Sequence, residues 1–149
     1  MILVSACLLG INCKYDGDNN KHEKVIQYLK NKQFILVCPE QLGGLPTPRV
    51  PSEIDNKVSN ENSFNSYIVK DKNGLNVSEN FSKGAYETLK IAKLYGCKEA
   101  ILKEGSPSCG SNKIYDGSFN GNKIDGMGIT ARTLKKEGIK IISEKQLEL

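Results

Sequence analysis

Two short apolar runs, Ile2-Leu3-Val4-Ser5-Ala6 and Phe34-Ile35-Leu36-Val37, enclose a helical stripe, and further strand and helix signals alternate after them. This alternation predicts an α/β fold: a three-layer, Rossmann-like domain with a mainly parallel sheet covered on both faces and a small β-hairpin insertion. The chain of 149 residues has the length of one domain, and residues 1–149 are read as a single unit.

Each apolar run ends abruptly, the first in Cys7-Leu8-Leu9-Gly10 and the second in Cys38-Pro39-Glu40, so both read as buried strands. Between them Val25, Ile26 and Leu29 share one helical face, with Asn19 or Asn20 as N-cap. Residues 55–66 form a polar loop. Tyr67-Ile68-Val69 and Leu75-Asn76-Val77 then flank Asp71-Lys72-Asn73-Gly74, whose Asn-Gly pair signals a hairpin. A longer helix is expected from an N-cap at Ser78 to a stop at Gly96, with Phe81, Ala85, Leu89 and Ala92 inward. Ala100-Ile101-Leu102 supplies a strand, and a glycine-rich loop runs through Cys109 to Gly128. A helix around Ala131 to Glu137, ended by Gly138, precedes a last strand, Ile139–Ile142. The triplet Tyr-Asp-Gly occurs at 15–17 and again at 115–117, too little for an internal repeat.

Composition removes several function classes. Hydrophobic residues make up 38% and charged residues 26%, and no apolar run approaches the roughly 20 residues that span a bilayer. Met1 leads straight into a strand with no basic leader, so a cytoplasmic protein is expected. The net charge of +4 is spread over dispersed lysines and reads as a solvated surface. Five cysteines at irregular spacing make no disulfide framework and point to metal binding or thiol chemistry. The single histidine, His22, lies at the polar start of a helix, which argues against histidine-rich zinc sites and Cys-His or Ser-His-Asp hydrolases. No C-x-x-C pair supports a thioredoxin-like site.

Ligands of open α/β sheets bind beyond the carboxyl ends of the strands, where the loops diverge. Cys7 and Cys38 end the first two strands and Cys109 lies in the loop after Ala100-Ile101-Leu102, so three distant thiols are expected to converge. Cys97 reads as core packing. Cys13 stands open as a fourth ligand, a second thiol or a turn residue. Three thiolates leave a metal or cluster with a free coordination position, and soft sulfur donors favour iron–sulfur chemistry or zinc. Glu40 follows Cys38 closely, either as a general acid or base or as a cap of the next element. Ser106 and Ser108 either donate protons toward a ligand or cap a turn. Arg49 ends the rigid loop Leu42–Arg49, as a cation over the site or as a partner of Glu53. Gly126-Met127-Gly128 before a helix is a weak anion-binding signal.

Together, Ser5-Ala6-Cys7-Leu8-Leu9-Gly10, Cys13-Lys14-Tyr15-Asp16-Gly17, Val37-Cys38-Pro39-Glu40, Gly44-Leu45-Pro46-Thr47-Pro48-Arg49 and Ser106-Pro107-Ser108-Cys109-Gly110 resemble the thiouracil desulfurase family of bacterial iron–sulfur desulfidases. The likeness covers almost the whole chain. It implies a [4Fe-4S] cluster held by Cys7, Cys38 and Cys109, with Glu40 and Ser106 as the catalytic pair, and non-redox loss of sulfur from a thiolated pyrimidine. Some relatives carry a second domain and act on tRNA. An end at Leu149 favours a free thiolated base or nucleoside instead. Gly105 stands where many relatives carry bulkier polar residues, which is expected to alter the pocket wall. The alternative is a non-catalytic iron–sulfur or metal-binding sensor. No membrane partner is expected, and the resemblance leaves oligomeric state open.

Overall fold

The structure, a computed structural model, describes residues 1–56 and 67–147, so most of the expected 55–66 loop lies outside the described residues. In chain order the elements are β1 (Ile2–Ser5), a 3-10 turn (Ala6–Leu9), α1 (Glu23–Leu29), β2 (Phe34–Val37), α2 (Pro39–Leu42), β3 (Ser52–Ile54) and β4 (Val69–Asp71). There follow α3 (Ser78–Leu94), β5 (Glu99–Leu102), β6 (Lys113–Tyr115), β7 (Lys123–Asp125), α4 (Ile129–Lys136), β8 (Lys140–Ser143) and a second 3-10 turn (Glu144–Leu147).

Four strands form one sheet in the order β2-β1-β5-β8, and each neighbouring pair is parallel. Because successive side chains of a strand point to opposite faces, the apolar runs feed two cores. Leu3, Ala100 and Leu102 pack with Leu89 and Ala92 of α3 and Ala131 and Leu134 of α4. Ile2, Val4 and Ile101 meet Val25 and Leu29 of α1 on the other face. The three layers expected from the sequence are therefore present. A third cluster, Ile54, Val69, Val77, Phe81, Ala85, Ile114 and Ile129, lies under the small antiparallel pairs.

Several local expectations are refined. The turn before Gly74 forms, with the Gly74 N–H donating to the Asp71 carbonyl at 2.9 Å, but the arm 75–77 contributes only a bridge between Asn76 and Lys70. The main partner of β4 is β3, in antiparallel register. The Asp71 carboxylate explains the shortened arm: it accepts the N–H groups of Asn73 and Leu75 and curls the chain before a ladder can extend. Ser78 is the first residue of α3, with Val77 in the cap position, and its hydroxyl accepts the Val69 N–H. Likewise His22, not an asparagine, occupies the cap position of α1, while Asn19 Oδ1 accepts the Lys21 N–H in the turn before it.

The short helix α2 begins directly after Cys38 and crosses α3 in near backbone contact. A Cβ on Gly84 would lie 2.0 Å from the Pro39 carbonyl oxygen, and one on Gly43 would lie 2.0 Å from that of Asn80. Only glycines permit this crossing, and it fixes the helix that carries Glu40 against the rigid long helix.

Candidate active site

Strand order reverses at β1: β2 lies on one side of it and β5 on the other, so the loops after β1 and β5 part and leave a crevice at their carboxyl ends. This crevice encloses about 440 Å³ and is lined by Cys7, Cys13, Cys38 and Cys109 together with Glu40, Arg49 and Ser106. Cys7 stands in the 3-10 turn after β1, Cys38 at the start of α2, and Cys109 in the loop between β5 and β6. Cys97 lies before β5, at the opposite end of the sheet, and is buried in the core. All five cysteines are free.

The thiols at the crevice are mutually dependent. Cys13, 3% exposed, hydrogen-bonds to both Cys7 and Cys38. That bond lowers the pKa of Cys7, with burial opposing it. It also brings Cys38 down to about 6 against the opposing effect of burial, helped by the Gln41 backbone N–H and the Arg49 guanidinium. Cys13 pays the reciprocal cost, its proton held by Cys38 and Cys7. Burial pushes Cys109 far up. A metal or cluster must therefore displace the Cys109 proton on binding, as thiolate coordination generally does.

Arg49 organises the Glu40 side. Its side chain is 5% exposed, and Nη2 donates to Glu40 Oε2 at 3.1 Å and to the Cys13 carbonyl at 2.8 Å. Nη1 donates to the Pro46 carbonyl and the Thr47 hydroxyl. Arg49 thus ties the loop 46–49 to both Cys13 and Glu40. The alternative pairing with Glu53 does not form; Glu53 accepts the backbone N–H groups of Gly117 and Phe119 instead.

The loop that bears Cys109 is closed twice. Ser106 Oγ accepts the N–H groups of Ser108 and Cys109 at 3.1 and 3.0 Å, so the turn-capping reading of this serine holds. With its oxygen engaged by two donors, the hydroxyl proton of Ser106 is left for an acceptor in the crevice. Ser108 is turned away, its hydroxyl bonded to that of Thr130 at 2.8 Å. The segment before α4 is no anion site. The N–H groups of Ile129, Thr130 and Ala131 are taken by the Pro107 and Ser108 carbonyls, and a Cβ on Gly128 would lie 2.4 Å from Ser108 backbone atoms. The helix start serves as a socket for the cysteine loop. Gly105 faces the Lys123 side chain and the Tyr115 ring, each 3.8 to 3.9 Å from where its Cβ would be.

One organising residue carried no sequence signal. Glu104, 6% exposed, accepts on Oε1 the N–H groups of Ser111, Asn112 and Lys113 at 2.9, 2.9 and 3.0 Å, and on Oε2 the Asn112 side-chain amide and the Ser111 hydroxyl. Burial raises its pKa, but the hydrogen bonds of Asn112 and Lys113 outweigh burial and hold it at about 2. Its own N–H donates to Glu144 Oε2 at 2.7 Å.

The donor set fits an iron–sulfur cluster. Three cysteine thiols from three loops line one crevice, and thiolate is the soft donor that iron–sulfur clusters take. Arg49 adds a second indication: its Nε–H is buried and has no acceptor, the condition of a donor whose anionic neighbour is missing.

Comparison with known proteins agrees with this geometry. The family model described as 2-thiouracil desulfurase matches residues 2–146. The Bacillus subtilis (strain 168) protein YbbK is 44% identical over 147 residues, which cover 99% of this chain and 97% of that one. The solved structure of the [4Fe-4S]-dependent thiouracil desulfidase TudS is similar with a TM-score of 0.86 and 40% identity, over 98% of this chain and 91% of that one.

Proposed function

Because this chain belongs to the 2-thiouracil desulfurase family, we propose that it is a [4Fe-4S]-dependent desulfidase that converts the thiocarbonyl of a thiolated pyrimidine to a carbonyl and releases hydrosulfide. The observation that carries this reading is the meeting of Cys7, Cys38 and Cys109 with Glu40 and Ser106 in one crevice. We read residues 1–149 as one desulfurase-like domain acting on a free base or nucleoside. A crevice of about 440 Å³ is in the range of small-molecule sites. Five free thiols suit a reducing cytoplasm, and no helix among the described residues is long and apolar enough to cross a membrane.

In this reading Cys7, Cys38 and Cys109 hold the cluster, which when bound supplies a Lewis-acidic iron with a free position that polarises the carbon–sulfur bond. Carbon keeps its oxidation level, since water supplies the oxygen and sulfur departs as hydrosulfide. Arg49 fixes Glu40 Oε2, which leaves Oε1 as the proton acceptor for water attacking the carbon. Ser106, with its oxygen occupied by two N–H donors, presents its proton to the substrate. Cys13 shapes the thiol cluster through its bonds to Cys7 and Cys38 and keeps its own proton.

Anaerobic purification followed by iron and sulfide assay, then incubation with 2- and 4-thiouracil, tests the proposal. Release of one hydrosulfide per uracil formed is expected. A protein that holds a full cluster but releases none from either compound is instead a non-catalytic binding or sensing module.

A further inference from the structure

We infer that Phe119 is the platform on which the flat ring of the thiolated base stacks, making it a specificity-determining residue of the crevice; this rests on the desulfidase reading above. Phe119 has φ 58, the one positive φ at a non-glycine residue among those described. A bulky side chain in the left-handed region is strained, and such strain persists only where surrounding contacts impose it. Here the imposing group is Glu53 of β3, 9% exposed, whose Oε1 accepts the Gly117 N–H at 3.0 Å and the Phe119 N–H at 3.1 Å. A carboxylate taken out of water to hold two backbone N–H groups more than 60 residues away is a costly device for a surface hairpin tip.

The device has an evident product. It turns Phe119 so that its half-buried side chain lines the crevice. The two Tyr-Asp-Gly triplets, unexplained by the sequence, belong to the same construction. Asp16 Oδ1 accepts the Asp18 N–H at 3.0 Å and Asp116 Oδ1 accepts the Ser118 N–H at 2.9 Å, so both triplets form the same Asx turn. Tyr15 and Tyr115 line the crevice with Phe119. Lys14 and Lys123 lie over these tyrosine rings, 5.4 and 5.3 Å from their centroids. The tyrosine faces are thus engaged by cations, whereas no cation over the Phe119 ring is found among the described residues. In a crevice that four cysteines also line, an aromatic face with no cation over it favours a planar, delocalised ring.

Substitution with the cluster in place tests this, using Phe119→Ala, Phe119→Gly and Phe119→Tyr. Glycine is included because it accepts φ 58 without strain, so the backbone is kept while the ring is removed. Hydrosulfide release is measured against 2-thiouracil and its saturated analogue 5,6-dihydro-2-thiouracil, and the Kd of uracil by calorimetry. The ring-deleted variants should raise KM for 2-thiouracil and Kd for uracil about ten- to a hundredfold, with kcat and iron content little changed. They should also lose the preference for the flat over the saturated ring, while Phe119→Tyr keeps it. Unchanged KM and Kd in the ring-deleted variants, or a fall in kcat alone, would overturn the assignment. Wild-type protein that binds uracil but releases no hydrosulfide would sink the desulfidase reading while the Kd comparison still judged Phe119.

Discussion

Replacing Glu104 by glutamine should loosen the Cys109 loop by an amount that pH can titrate away. The carboxyl pKa of 4.5 falls to about 2 in the folded protein. A shift of that size corresponds to about 3 kcal/mol favouring the ionised form. Glutamine can still accept the Ser111, Asn112 and Lys113 N–H groups through its oxygen. Its NH₂ must then face the Asn112 side-chain amide, donor against donor, at 2.9 Å in the present geometry. The expected loss is about 2–3 kcal/mol, or about 5–10 °C in Tm for a chain of this size. Since the folded pKa lies below the unfolded one, the wild-type advantage is complete above about pH 4.5 and is lost as pH falls toward 2. The groups around it, Glu144 at its N–H, Lys103 between its carbonyl and Glu144, and the Lys113 backbone N–H, remain in both proteins, so the difference isolates residue 104. Paired urea titrations followed by circular dichroism at pH 7 and at stepped acidic pH measure it. Equal stability at pH 7, or a gap of constant size down the acid range, would refute the reasoning.

Cys7→Ser, Cys38→Ser and Cys109→Ser should each lose the iron and sulfide of the anaerobically purified protein, whereas Cys97→Ser, altered at the far end of the sheet, should retain both by chemical assay. Cys13→Ser should keep its cluster and its activity, because Cys13 supports its neighbours by hydrogen bonding; iron loss there would make it a ligand. Glu40→Gln should hold its iron but slow hydrosulfide release about a hundredfold or more, read from the methylene-blue rate with 2-thiouracil. Arg49→Met should destabilise by about 3 kcal/mol or more in urea, since it leaves the Glu40 carboxylate and the Cys13 carbonyl without their shared donor.

The sheet and its three cysteines were legible because both follow from short-range pattern. Continuous apolar runs ending at Cys7 and Cys38 mark buried strand ends, and the rule for α/β crevices does the rest. The long helix was equally plain from Phe81, Ala85, Leu89 and Ala92, which are buried as their spacing predicts. Strands β3, β6 and β7, each three residues long, fall below any periodic signal and exist through partners elsewhere in the chain. Glu104, and the backbone-holding role of Glu53, leave no sequence signal for a related reason. A carboxylate that accepts backbone N–H groups leaves no complementary side chain to notice, and its partners at 111–113 and 117–119 are ordinary loop residues. Arg49 reads from the sequence as a cation, while its partner, Glu40 rather than Glu53, emerges only in the fold.

The socket formed by the start of α4 has a consequence for the order of events in biosynthesis. As the chain leaves the ribosome, Cys7 and Cys38 emerge early, and Cys13 emerges between them as an internal proton donor. Cys109 follows much later, and its loop has no seat until the N–H groups of Ile129, Thr130 and Ala131 exist to hold the Pro107 and Ser108 carbonyls. The Glu104 N–H waits longer still, for Glu144, 40 residues downstream. Seating of the Cys109 loop is thereby a late step of folding, completed only once α4 and Glu144 exist. A chain that stops before α4 would carry Cys109 on a loop without its seat.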